Sequence, residues 1–210
     1  LFNERYVKFY DLFNSAKPYQ KEIEFVYEWA KKPRSVFDIG AGSANYWKFY
    51  PLGVTLVGVD KSSAMAEKNK NVICADIMEY KHPSVFECAT ALFNVINYIP
   101  QHNWWKNLPL EKGGHFIFDI FDKKKVDEDG FQETFKNIDG IYRLITPVNY
   151  DGRNVDLRIE VFARKEVIVE HHKMYIYSHD EILKFCGDEF EVVEVKPTER
   201  WQKWYKLRRK

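Results

Sequence analysis

Apolar residues in the first thirty positions recur at helical spacing. Phe9, Leu12 and Phe13 form one set, and Ile23, Val26, Tyr27 and Ala30 a second, with Lys17-Pro18 as the break between two helices. From Ser35 the pattern changes to short apolar runs: Ser35–Ile39, Thr55–Asp60, Val72–Ala75, Ala89–Phe93 and His115–Ile120. Polar or helix-like segments such as Ser62–Lys70 and Gln101–Leu108 separate them. Nearly continuous apolar strands alternating with helices predict a parallel sheet covered on both faces. After Asp122 the texture turns to β. Ile141–Val148, Asn154–Ala163 and Val167–Tyr177 are rich in β-branched and aromatic residues, and Asp151-Gly152 is a hairpin signal. Pro147 is expected to place the first of these at a sheet edge. Ser178-His179-Asp180-Glu181 reads as a capping box opening a helix. Phe190–Val195 and Trp201–Leu207 then close the chain as an antiparallel pair, with the basic tail from Lys203 to Lys210 expected to guard an edge.

Composition narrows the function. The chain has 210 residues, ample for one α/β domain, and 32 basic against 31 acidic side chains, which argues against a nucleic-acid coat. The three cysteines are too few and too scattered for a disulfide framework or a zinc site, so no metal is expected. No apolar run is long enough to span a membrane and no signal peptide is read, so a cytoplasmic protein is expected. Aromatic residues make up 17% of the chain, more than a core alone explains, and rings also line small-molecule pockets.

The candidate chemistry begins where the first strand ends. Asp38-Ile39-Gly40-Ala41-Gly42-Ser43-Ala44 leads from that strand toward an expected helix, and glycines there let backbone N–H groups approach a ligand. Asp60 ends the second strand, where a carboxylate can take both hydroxyls of a ribose. Asp76 and Ile77 follow the third, where an adenine edge and face can be met. Each feature alone is as readily a turn or a helix cap, but their order and spacing favour an adenosine-type cofactor. The dinucleotide fingerprint requires glycine where Asn45 stands, and a P-loop lysine is absent.

With these residues the chain resembles the class I S-adenosylmethionine-dependent methyltransferases. Asp38, Gly40 and Gly42 match the family's D-x-G-x-G-x-G, with Ala44 in place of the last glycine. Asp60 matches its ribose acid and Asp76-Ile77 its adenine-contacting pair. The resemblance implies a Rossmann-like seven-stranded sheet with an antiparallel last strand, S-adenosyl-L-methionine as cofactor and S-adenosyl-L-homocysteine as product. Tyr10-Asp11-Leu12, Lys17-x-Tyr19 and Glu22 further resemble the opening of nucleotide-amino-sugar N-methyltransferases. Those enzymes also insert an antiparallel layer after strand five. Against them, Asn97 replaces a glycine after Phe93, and Asp119-Ile120-Phe121 replaces Glu-Pro-Trp.

On this resemblance residues 1–33 form a helical lid, 34–122 and 178–210 the core, and 123–177 an antiparallel β insertion over the acceptor site. Phe93, Tyr10 and Tyr19 join the cofactor set, although both tyrosines also suit an amphipathic helix core. Tyr98, Asp119 and His172 are the candidates for handling an acceptor proton; His172 or its neighbour His171 must face inward. Arg143, Arg153, Arg158 and Arg164 are candidates for a nucleotide diphosphate. The expected partner is a small-molecule acceptor such as a nucleotide sugar, bound by a monomer or homodimer. An O-methyltransferase, a silent binding subunit of the same fold and a nicotinamide-dependent oxidoreductase remain as alternatives.

Overall fold

A computed structural model describes residues 2–100, 103–198 and 201–210; Gln101, the first residue of one segment read as helix-like, lies outside them. Two helices, α1 (Glu4–Asn14) and α2 (Tyr19–Trp29), open the chain on either side of Pro18. Five strands follow: β1 (Ser35–Ile39), β2 (Thr55–Asp60), β3 (Val72–Cys74), β4 (Phe86–Ala91) and β5 (Leu110–Phe121). A one-turn helix, α3 (Ser63–Ala66), lies between β2 and β3, and α4 (Lys123–Asp129) follows β5. An antiparallel sheet comes next, built from β6 (Thr134–Ile138), β7 (Ile141–Tyr150), β8 (Asn154–Ala163) and β9 (Glu166–Tyr175). The chain closes with α5 (His179–Cys186), β10 (Phe190–Pro197) and β11 (Gln202–Arg209). The capping box of α5 is formed as the sequence predicts, with Ser178 and Glu181 bonding reciprocally.

The main sheet has seven strands in the order β10-β11-β5-β4-β1-β2-β3. Strands β1 to β5 are parallel to one another, and β11 runs antiparallel to both β5 and β10. This is the expected α/β fold with its reversed last strand. Strand order reverses between β1 and β4, the switch point outside which ligands of such sheets gather. Gly58 on β2 permits close packing there, since a Cβ would stand 2.6 Å from Ala41 Cβ and 2.8 Å from the Trp47 ring. Among the described residues no helix is long and apolar enough to cross a membrane.

Three expectations need correction. No α-helix follows the glycine loop; the chain makes turns and a 3-10 turn over Trp47–Phe49 before Pro51. Ala44 lies at φ +55°, in the left-handed region, and so interrupts helix formation at the point where glycine would have been free. Pro147 does not put β7 at an edge, because β6 covers it over Ile141–Ile145; Pro147 lies past the end of β6 and beside a register shift, where its missing N–H costs no ladder bond. The basic tail is an inner strand, not a guarded edge: Lys206 is buried with its ammonium 5.9 Å from the Trp29 ring, and Arg209 donates to Leu108 and Leu110 carbonyls. Helix α1 packs on the second sheet through Tyr6, Phe13, Ile159, Val161 and Ile168.

The strain at Ala44 makes a stability test. Ala44→Gly is expected to raise unfolding free energy by about 1 kcal/mol, the left-handed penalty less the extra freedom of an unfolded glycine. Urea denaturation checks it, with exposed Leu52→Ala as a control that leaves stability nearly unchanged.

Candidate active site

A cavity of about 700 Å³ opens at the C-terminal ends of the parallel strands, within the range of small-molecule sites. Gly40, Gly42, Asp60, Asp76, Ile77 and Phe93 line its sheet side, and Tyr10 and Tyr19 line it from the N-terminal helices. Tyr98 and His172 line its far side, together with Arg143 of β7. Ten of the expected site residues thus meet at one cavity, while Asp38 and Asp119 do not line it.

Gly42 has φ +57° and its missing Cβ leaves open space, with the Met65 sulfur 4.0 Å away. Its N–H donates to Asp60 Oδ2 at 2.8 Å, and Ser62 N–H donates to Asp60 Oδ1 at 2.8 Å. Each oxygen keeps a further lone pair for a hydroxyl. Burial pushes the Asp60 carboxyl upward against these two bonds. Asp76 behaves oppositely: burial opposes ionisation, but the Lys61 ammonium at 2.6 Å and the Met78 N–H hold the carboxyl down.

Asp38 is a correction to the cofactor set. Its carboxylate is buried and turned away from the cavity. Tyr46 Oη donates to Oδ2 at 2.5 Å, Trp47 Nε1 to Oδ2 at 2.7 Å, and Thr90 Oγ1 to Oδ1 at 2.7 Å. Burial raises its pKa to about 6 in spite of those three donors. Asp38 braces the loop from beneath through these three donors.

Asp119 is the second correction. Phe93 and Asn94 both adopt left-handed backbone, at φ +66° and +61°, a costly arrangement for two side-chain-bearing residues. Asp119 Oδ2 accepts from Asn94 N–H at 3.0 Å and so fixes the bend that aims Phe93 into the cavity. Its Oδ1 has no hydrogen-bond partner. Burial raises this carboxyl to about 7, against bonds from the Asn94 and Phe93 N–H groups and with a further push from the Glu22 charge.

Aromatic rings form the wall between loop and lid. Tyr19 stacks on Tyr46 with centroids 6.0 Å apart, and both meet Phe93 edge-on at 5.3 and 5.2 Å. Lys17, which the sequence placed only in a motif, stands with its ammonium 4.4 Å from the Phe93 ring centroid, and burial lowers its pKa. The lid is tied to the loop by Ser43 Oγ donating to Asp11 at 3.0 Å. Phe121 reaches the cavity, whereas Tyr177 is buried in the core with its hydroxyl on the Ile99 carbonyl.

Across the cavity, Tyr98 Oη lies 3.1 Å from His172 Nδ1, and His172 Nε2 lies 2.8 Å from Glu170 Oε2. His172 is the inward member of its pair, 4% exposed, and His171 is exposed. Glu170 was missed by sequence reading; its signal is alternation, since it lies two residues before His172 and shares its face of β9. Of the four candidate arginines, Arg143 alone lines the cavity. It is buried, its Nε has no hydrogen-bond partner, and its guanidinium rests 5.0 Å from the Phe13 ring. Arg153 and Arg158 pair with Glu181 and Glu160, and Arg164 is exposed in a turn.

The Asp119 shift predicts a pH effect. Its folded pKa near 7 exceeds the unfolded carboxylate value near 4, so the native state holds the extra proton and stability falls as pH rises between them. Asp119→Asn is expected to flatten that fall between about pH 4 and 7, in melting temperatures measured across the range. An unchanged slope would contradict the burial argument.

No family model and no curated protein matches the chain. Solved structures do. An S-adenosylmethionine-dependent methyltransferase from Clostridium acetobutylicum superimposes with a TM-score of 0.80 at 19% identity, covering 97% of each chain. CalS10, an amino pentose methyltransferase from Micromonospora echinaspora involved in calicheamicin biosynthesis, solved with S-adenosylmethionine bound, gives 0.76 at 14% identity, covering 100% of this chain and 98% of its own. The sugar N-methyltransferase KedS8 from Streptoalloteichus gives 0.74 at 17% identity over 96% and 93% of the two chains. The chain has the fold of the S-adenosylmethionine-dependent methyltransferases.

Proposed function

We propose that the protein is an S-adenosyl-L-methionine-dependent methyltransferase acting on a small molecule and releasing S-adenosyl-L-homocysteine. One observation carries this reading: the Gly40–Gly42 loop and the Asp60 and Asp76 carboxylates open from consecutive strand ends onto a single cavity whose opposite wall holds a hydrogen-bonded tyrosine and histidine. The residues suit the cofactor. Asp60 would take the ribose hydroxyls, Asp76 and Ile77 the adenine, and the Lys17 ammonium the aminoacyl carboxylate. Bound there, the cofactor supplies an electrophilic sulfonium methyl.

The chain's own part is alignment and exclusion of water. Tyr10, Tyr19 and Phe93 present ring faces and edges that accommodate a positive charge without neutralising it. The lid helices and the second sheet close the remaining sides. Tyr98, with His172 behind it, accepts the proton that an amine or hydroxyl acceptor must lose. Direct in-line transfer then needs no covalent attachment to the protein.

The finer reading is N-methylation of an amino sugar, free or nucleotide-linked. Its support is the amino pentose and sugar N-methyltransferases among the solved structures of this fold, and the Arg143 guanidinium facing the cavity, a group suited to a phosphate or carboxylate on the acceptor. Such a small, charged acceptor also accords with the chain's net charge of +1.

Calorimetry with S-adenosylmethionine and S-adenosylhomocysteine tests the cofactor. Asp60→Ala is expected to weaken both at least about tenfold, the loss of two charge-assisted hydrogen bonds; binding of neither ligand by the parent protein would end the methyltransferase reading. A methyl-transfer screen over amino sugars and nucleotide sugars, read by mass spectrometry, tests the acceptor. With whichever acceptor is turned over, Tyr98→Phe is expected to cut kcat by about a hundredfold and leave cofactor affinity alone. Turnover of a non-sugar amine alone would keep the enzyme and discard the sugar.

A further inference from the structure

Glu170 does not line the cavity, yet its two carboxylate oxygens are both committed. Oε2 lies 2.8 Å from His172 Nε2, and Oε1 accepts the Asn3 backbone N–H at 2.6 Å. Glu170 and His172 are 6% and 4% exposed, so the pair is shielded from water. The Phe2 ring stands edge-on to the imidazole with centroids 4.7 Å apart, and completes the shield.

An ionised carboxylate only accepts hydrogen bonds. His172 Nε2 must therefore carry a proton to meet Glu170, and in the neutral imidazole that leaves Nδ1 as the bare nitrogen. Nδ1 is the atom 3.1 Å from Tyr98 Oη, so the tyrosine hydroxyl donates to it. The line runs from the cavity inward: Tyr98 Oη–H to His172 Nδ1, then His172 Nε2–H to Glu170 Oε2. A nucleophile-side group, a base and a third group that orients the base is the general logic of a positioned proton acceptor. With the opposite tautomer Nδ1–H would point at Tyr98, and the hydroxyl would have nowhere to pass its proton.

We propose that Glu170 is a positioning residue for proton transfer: it sets the His172 tautomer so that Tyr98 can relay an acceptor's proton to Nδ1. The proposal rests on the methyltransferase reading for what the relay serves, but the tautomer itself does not depend on it. In the step, the acceptor's N–H or O–H proton passes to Tyr98 Oη while the tyrosine's own proton passes to His172 Nδ1. The acceptor atom keeps the electron pair with which it would bond the methyl carbon, and the methyl–sulfur bond would break with its pair going to sulfur, leaving the thioether of S-adenosylhomocysteine. The imidazolium so formed is opposed by the Glu170 carboxylate, and its extra proton returns to solvent when the site opens.

The Asn3 bond adds a consequence. Asn3 also caps α1, its Oδ1 accepting from Tyr6 N–H at 3.0 Å. The start of the lid helix and the orienting carboxylate are thus one hydrogen-bonded unit.

The test reads the tautomer directly. In protein labelled with [15N]histidine and saturated with S-adenosylhomocysteine, the His172 nitrogens are assigned by their loss in His172→Gln. The Nε2-protonated form is expected to exceed the other by at least about tenfold, the preference a charge-assisted bond supports. In Glu170→Gln the side-chain amide can donate as well as accept, so the ratio is expected to fall toward one, while Glu170→Asp restores part of it. The cofactor-product dissociation constant should stay within about twofold in both variants, since Glu170 lies across the cavity from the glycine loop. A parent spectrum with the proton on Nδ1 overturns the proposal even if neither variant folds, as does an unchanged ratio in Glu170→Gln. Absence of S-adenosylhomocysteine binding by the parent would remove the methyltransferase reading instead, with the tautomer still measured in the free protein.

Discussion

One buried carboxylate underlies the site. Asp38 lies next to the end of β1 beneath the loop, and its negative charge in a water-free interior costs several kcal/mol unless donors surround it. Three do, from two pieces of chain: Thr90 on the neighbouring β4, and the adjacent Tyr46 and Trp47 in the turns after the glycine loop. Meeting that requirement draws Tyr46 and Trp47 inward over the strand end. It explains why turns stand where the sequence led one to expect a helix, because a helix beginning at Ser43 would carry those rings elsewhere. The loop is shaped from below by Asp38 and from the side by Asp60, whose carboxylate takes the Gly42 N–H. Without a following α-helix, the loop offers a ligand its own N–H groups and no helix macrodipole.

The rings drawn in by Asp38 also make the wall. Tyr46 supports Tyr19, and both support Phe93, so the lid helix α2, the glycine loop and the bend after β4 share one aromatic contact. The bend itself is strained at two consecutive residues and is fixed by Asp119 from the sheet behind. Two aspartates that never touch the cavity therefore determine the position of the side chains that do. Their raised carboxyl pKa values are the electrostatic mark of that burial.

The parts of the chain that were legible share a physical reason. Strands β1 and β2 read as short, mostly apolar runs, β1 being buried over Val36–Ile39 and β2 half-buried to buried after Thr55, and the sequence-based bounds of both coincide with the structure. Asp60, Asp76 and the glycines were legible because strand ends and turns have strong local chemistry. What was not legible depends on partners distant in sequence. β6 is nearly all exposed and carries no alternation, so its existence depends on pairing with β7. The charged tail became an inner strand because its lysine and arginine stems lie along rings and reach carbonyls, which composition does not reveal. Asp38 and Asp119 share residue type and strand-end position with Asp60, and only the third dimension shows that their carboxylates point behind the wall.

The pair proposed to move the proton spans two sheets, Tyr98 following β4 of the first and His172 lying on β9 of the second, so its geometry is only as good as the docking between them. Asn97 performs that docking. It is fully buried; its Nδ2 donates to the Tyr175 carbonyl at the end of β9 at 2.6 Å, and its Oδ1 accepts from Phe121 N–H at the end of β5 at 3.2 Å. One amide thus joins the segment bearing Tyr98 to the strand bearing His172 and to the last residue of β5. A glycine at this position, as in the amino-sugar enzymes the sequence resembles, offers neither bond. The departure from the motif is consequently not a decayed feature but a substitute fastening, placed one residue from the tyrosine whose position it sets.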